Sequence, residues 1–129
     1  MKQEETTQRM ETNHSPLTEK ENTALRFLNR AASVYNPHKG PEDIVLEIFF
    51  TDIQKTYQMV LGKESCTVLT EGFRPFDARA EAAYPVFEDM AKGRKSPAME
   101  LIKGHVKTKG DLRILKKLED FFPGLEAEK

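Results

Sequence analysis

The chain has a single cysteine and no tryptophan. A lone thiol, Cys66, cannot close an internal disulfide, so the bridge frameworks of small secreted domains are excluded and the cytoplasm is the expected compartment. Long apolar runs are missing too. No stretch approaches the roughly 18 residues that span a bilayer, and the opening MKQEETTQRM lacks the apolar centre of a signal peptide. Histidine is scarce and scattered. His14, His38 and His105 fall in a tail, a loop and a strand, with no second histidine at ligand spacing, so neither a metal nor a cofactor is expected. Cys66 sits in a strand-like run and reads as a buried, inert thiol. Gly62-Lys63-Glu64-Ser65 lacks the upstream glycine of a phosphate-binding loop and reads as a turn. Asp77 and Glu81 flank Arg79 in ordinary solvated alternation. With no nucleophile and base standing out, the expectation is a protein that is not an enzyme.

What remains is enough for one domain: 129 residues can bury roughly two-thirds of the surface that the unfolded chain exposes. The net charge of −1 hides an uneven distribution. Residues 1–91 carry 10 Lys or Arg against 15 Asp or Glu, residues 92–117 carry 9 against 2, and residues 118–129 carry 1 against 4. The middle block is strongly basic.

Met1 and Met10 are the large apolar side chains before Pro16, so residues 1–17 are expected to form a flexible tail. Thr18 and Glu21 have capping-box spacing, and Leu25, Leu28, Ala32 and Tyr35 recur at helical spacing, which predicts a helix over about 19–35, ended by Asn36-Pro37. Three β-like stretches follow, Ile44 to Thr51, Thr56 to Leu61 and Ser65 to Thr70, the last two joined at Gly62-Lys63. A fourth strand alternates, with Phe76, Ala78, Ala80 and Ala82 on one side and Asp77, Arg79 and Glu81 on the other. Its small inner residues leave room for a helix or a ligand. Short helices are predicted from Pro85 to Gly93 and from Ser96-Pro97 to Gly104. His105 to Lys109 alternates again, and Gly110-Asp111 opens a last helix with Leu112, Leu115, Leu118 and Phe122 on a wide apolar face. The pattern is that of an α+β sandwich.

The stretch FEDMAKGRKSPAMELIKGHVKTKGDLRILKKLEDFF, from Phe87 to Phe122, resembles the sterol carrier protein type 2 family in the order and spacing of Gly93, Gly104, Gly110, Asp111, Leu115 and Leu118. The resemblance implies a mixed, mainly antiparallel five-stranded sheet with helices over one face. It also implies a hydrophobic cavity that binds, and in carriers transfers, a sterol, a fatty acyl chain or a related lipid. Residues 18–124 would form that domain, with 125–129 a short C-terminal tail. The family more often has an aliphatic residue where Thr108 stands. Its domain also occurs appended to enzymes, so the alternative is an accessory domain that supports an enzyme or oligomer without carrying lipid. The expected lining residues are Leu28, Phe49, Met59, Phe87, Met90, Leu115, Leu118 and Phe122. Lys107, Lys109, Arg113, Lys116 and Lys117 are the expected docking surface for an anionic membrane or an acidic partner. Nucleic acid is not expected, because no aromatic side chain interleaves these lysines.

Overall fold

The computed structural model describes residues 16–124, with side chains from Glu19 onward. Of the expected tails, residues 1–15 and 125–129 lie outside the described residues. Helix α1 (Pro16–Ser33) starts earlier than the capping box predicts, so Thr18 lies inside the helix and is not its N-cap. Proline is tolerated in a first turn because the amide it lacks has no intrahelical partner there. Ala24, Phe27, Leu28 and Ala31 form the buried stripe of α1.

The strands are β1 (Ile44–Phe50), β2 (Lys55–Leu61), β3 (Cys66–Leu69), β4 (Ala78–Ala82) and β5 (Lys107–Gly110). They form one sheet in the order β3-β2-β1-β4-β5. All neighbours are antiparallel except β1 and β4, which run parallel. This is the α+β, mainly antiparallel five-stranded architecture that the sequence predicts.

The topology forces a crossing. The chain leaves β3 at the sheet edge and returns as β4 on the far side of β1, so residues 70–77 must pass over two strands. They do so on the face away from the core helices, where the buried amide of Gln58 holds them. Gln58 Nε2 donates to the Arg74 carbonyl at 2.7 Å and to Glu47 Oε1 at 2.8 Å, while its Oε1 accepts from Arg74 N at 2.9 Å. Phe76 therefore belongs to this crossing segment and is exposed, not an inner residue of β4 as the alternation suggests.

The other face of the sheet carries the core. Leu46, Ile48 and Phe50 of β1 lie beside Ala78, Ala80 and Ala82 of β4 and opposite Met59, Tyr57 and Lys55 of β2. Over this face lie α1, α2 (Tyr84–Ala91) and the C-terminal pair α4 (Leu112–Lys116) and α5 (Leu118–Phe121); α3 (Pro97–Ile102) follows α2. The predicted single last helix is broken at Lys117, whose φ of −102° and ψ of 12° leave the helical region. The break and the non-helical Phe122 let two consecutive phenylalanines, Phe121 and Phe122, both be buried, which one continuous helix face would not allow. Leu112, expected on the apolar face, is exposed. Gly110 is required where β5 ends: its φ is +87°, and a Cβ there would run into the Asp77 carbonyl and lie 3.1 Å from Ala78 Cα.

Candidate functional site

An open groove of about 480 Å³ runs between α1 and the start of α2, lined by Thr23, Arg26, Phe27, Asn29, Arg30 and Tyr84. Its floor is aromatic. The Phe27 and Tyr84 rings meet edge-on at 5.6 Å, Tyr84 leans on Phe50 at 6.0 Å, and Phe50 meets Phe87 at 5.3 Å. Its wall is cationic: Arg26 and Arg30 stand one helical turn apart, and the Arg30 guanidinium lies 6.0 Å from the Phe27 ring centroid. Nε and Nη2 of Arg30 are buried and find no hydrogen-bond partner among the described residues. Buried donors on a charged group are costly to leave unsatisfied.

Tyr84 closes the groove. Its hydroxyl donates to Glu88 Oε2 at 3.2 Å, and Lys92 Nζ meets the same oxygen at 3.2 Å. Burial first, and then the Glu88 carboxylate, push the phenol up to about 12, so it stays a neutral hydrogen-bond donor. Burial also pushes the Cys66 thiol up to about 12. His38 is committed to the backbone: its Nδ1 accepts from Gly40 N at 3.0 Å, which leaves Nε2–H to donate to the Leu61 carbonyl at 3.0 Å. Among the described residues no three His, Cys, Asp or Glu side chains converge as a metal site would need. No helix among them is long and apolar enough to cross a membrane.

The model of the SCP-2 sterol transfer family matches residues 26–123. The chain belongs to this family. No curated protein matches the chain significantly. Among solved structures, a double mutant of the sec-alkyl sulfatase PisA1 superimposes with a TM-score of 0.67 at 18% identity, covering 74% of this chain and 16% of that one. The present chain thus spans a small fraction of that enzyme's length. The ubiquinone synthesis protein UbiJ-SCP2 gives 0.60 at 16% identity, covering 81% and 97%. Sterol carrier protein 2 like 2 from Aedes aegypti gives 0.58 at 17%, covering 81% and 97%. These likenesses establish a shared fold.

In this SCP-2 domain six of the residues expected to line a cavity join one cluster on the helix side of the sheet. Leu28, Met59 and Phe122 are buried in it, and Phe87, Leu115 and Leu118 pack against it half-buried. Met90 is half-buried on α2. Phe49 stands apart. The register places it on the opposite sheet face, opposite Glu81, with the Arg79 guanidinium 5.2 Å from its ring centroid. Arg79 is itself bound by Glu47 and, at 2.8 Å, by Glu81.

The basic residues expected to converge are divided between two places. Lys107 and Lys109 lie on the sheet face away from the core helices, opposite Glu81 and Arg79. Arg113 and Lys117 line a second groove of about 360 Å³ with Lys39 and His38, while Lys116 is exposed nearby on α4. Arg113 is engaged there, its Nε and Nη2 donating to Asp111 at 3.0 and 2.9 Å. Sequence reasoning passed over Arg26, Arg30, Phe27 and Tyr84. A signal was present, since two arginines at i and i+4 with no acid a turn away repel each other in an isolated helix.

Proposed function

We propose that this domain binds a lipid with an anionic head group, such as a long-chain carboxylate, and does no chemistry on it. The observation that carries this reading is the pair of buried, unpartnered Arg30 donors in the wall of an aromatic-floored groove. A carboxylate entering the groove meets the Arg30 guanidinium, which turns Nε and Nη2 outward to donate to it in the parallel geometry that guanidinium groups favour, with Arg26 adding charge. The apolar tail passes inward beneath α2, none of whose residues is fully buried, toward Phe87, Phe50 and the cluster that holds Leu28, Met59, Leu115, Leu118 and Phe122. Residues 18–124 make up the binding unit on this reading, and the reduced Cys66 accords with a cytoplasmic setting. A non-catalytic role is supported by Cys66 and Tyr84, two side chains of nucleophilic type, being held neutral at physiological pH.

A second reading has its own support. The likeness to a small part of a much larger alkylsulfatase favours an accessory domain that lends its surface to an enzyme or an oligomer. Native mass spectrometry of freshly purified protein, followed by lipid extraction, separates the two. Co-purified fatty acid, displaced by added oleate, supports the carrier. A chain that stays empty and ignores oleate rejects it in favour of the accessory role.

A further inference from the structure

Helix α3 is turned inside out. Its one buried residue is the acid, Glu100, at 2% exposure, whereas Met99, Leu101 and Ile102 are 46%, 43% and 78% exposed. A helix on a soluble protein ordinarily does the reverse. The inversion is well anchored. Ser96 caps the first turn by accepting from Met99 N at 3.3 Å, and Pro97 occupies the first helical position. Glu100 Oε1 is bound to His105 Nδ1 at 2.9 Å, the Glu100 carbonyl accepts from His105 N and Val106 N, and the buried Val106 leads the chain into β5. The exposed apolar side chains are thus presented by a capped, tied turn rather than by a frayed end.

Cations predominate around the turn. Lys95 precedes α3 and Lys103 follows it; Arg94 beside them is paired with Asp89 at 2.8 Å, and Lys107 on the next strand lies opposite Glu81. The two acids of residues 92–117 are both engaged: Glu100 faces inward to His105, and Asp111 is held by Arg113. The His105 hydrogen bond first, and then Lys95 and Lys103, hold the Glu100 carboxyl below its usual range, so it stays ionised and paired. Apolar tips ringed by cations complement a surface that is apolar inside and anionic at its rim. Size argues for the same occupant. A six-residue helix, about 9 Å long, presents three exposed apolar side chains, too few to bury the ~800 Å² per partner of a stable protein interface, yet a few apolar side chains with adjacent cations suffice for reversible docking to a leaflet.

We propose that the α3 turn is a membrane-docking wedge: Met99, Leu101 and Ile102 enter the headgroup–acyl boundary of an anionic bilayer, with Lys95 and Lys103 at the level of the lipid phosphates. This stands whatever the α1–α2 groove binds. The chain has no tryptophan, so Ile102→Trp introduces a single reporter at the most exposed tip. With vesicles of phosphatidylcholine containing phosphatidylserine, its emission shifts to the blue and is quenched by brominated acyl chains; with phosphatidylcholine alone it barely changes. Leu101→Ser/Ile102→Asp lowers co-sedimentation with the anionic vesicles by about tenfold or more, while the melting temperature falls less than for a core substitution, because Ile102 is 78% and Leu101 43% exposed. The wedge is overturned if the double variant sediments like the wild type, if the indole stays in water while vesicles still retain the protein, or if neither protein associates with anionic vesicles at low salt. Capture of an acidic protein without any vesicle binding overturns it equally.

Discussion

Replacing Arg30 by methionine should separate stability from binding. The substitution keeps most of the apolar stem that packs beside Phe27 and deletes the guanidinium whose Nε and Nη2 lack partners among the described residues. Leaving a buried donor unsatisfied costs about 1–3 kcal/mol, and the cation–π contact to Phe27 returns about 0.5–1 kcal/mol. Removing both should leave the domain unchanged or more stable by up to about 2 kcal/mol in urea unfolding. Binding should move the other way. One or two charge-assisted hydrogen bonds of about 1.5–3 kcal/mol each correspond to oleate held about tenfold to ten-thousandfold more weakly, measured by calorimetry or by displacement of a fluorescent fatty acid. Oleate methyl ester, which lacks the charge, should bind both proteins alike. Two results would refute the reasoning: a loss of more than about 2 kcal/mol, which would make the guanidinium structural, or equal oleate affinity in the two proteins.

Gly110→Ala should destabilise the domain by several kcal/mol or prevent folding, since a side chain there meets the Asp77 carbonyl at positive φ; a small shift in the urea midpoint would show that the β4–β5 junction yields. Gln58→Leu should cost about 2–4 kcal/mol and expose residues 70–77 to proteolysis, because Arg74 loses both backbone partners; unchanged cleavage would mean the crossing segment is held elsewhere. Met59→Ala, at a buried site, should cost about 2–5 kcal/mol, and Leu118→Ala, at a half-buried one, about 1–2 kcal/mol; the reverse order would misplace the core. Native Cys66, with its thiol pushed up to about 12, should react with iodoacetamide at pH 8 on the order of a hundredfold more slowly than in urea; fast native labelling would contradict its burial.

The elements that were legible in the sequence are those in which local chemistry and tertiary need agree. Ser96-Pro97 opens α3 as its residue types dictate, and the alanines of β4 lie inward as their alternation indicates. The break at Lys117 was not legible because Leu115, Leu118 and Phe122 keep helical spacing across it; the demand that Phe121 be buried as well arises only when the sheet is present. Thr18 misleads for a related reason, as Pro16 is equally able to open the helix. Phe49 is instructive. In β1 both parities are largely apolar, so the run IVLEIFF does not announce which side meets the helices, although Leu46, Ile48 and Phe50 are buried while Glu47 and Phe49 are half-buried. Glu47 held the answer: it shares a face with Val45 and Phe49, and a carboxylate belongs on the side away from an apolar core. That one residue tells on which face Phe49 lies.

The alanine column on β4 suggested space for a helix or a ligand, and the two occupants compete. In this state α2 fills the neighbourhood: Phe87 and Tyr84 both rest on Phe50, which pairs in register with Ala82. Tyr84 also meets Phe27 edge-on, and Ala91 packs on the cluster. The helix has no fully buried residue, and a hydrogen bond from Tyr84 N to Asp52 Oδ1 at 3.1 Å fixes its start. Edge-on and tilted aromatic contacts contribute about 0.5–1.5 kcal/mol each beyond their area, so lifting both rings, with three such contacts, costs about 1.5–4.5 kcal/mol plus the apolar area uncovered. An acyl tail recovers about 0.8 kcal/mol per methylene it buries, so about six methylenes offset the ring contacts and a long chain has a surplus. On the proposed reading a short carboxylate such as butyrate therefore binds at the groove mouth without moving α2, while a long one displaces it. Hydrogen exchange of the α2 amides should then rise with oleate and stay unchanged with butyrate; equal protection with both acids would mean that the tail never enters the sheet side of α2.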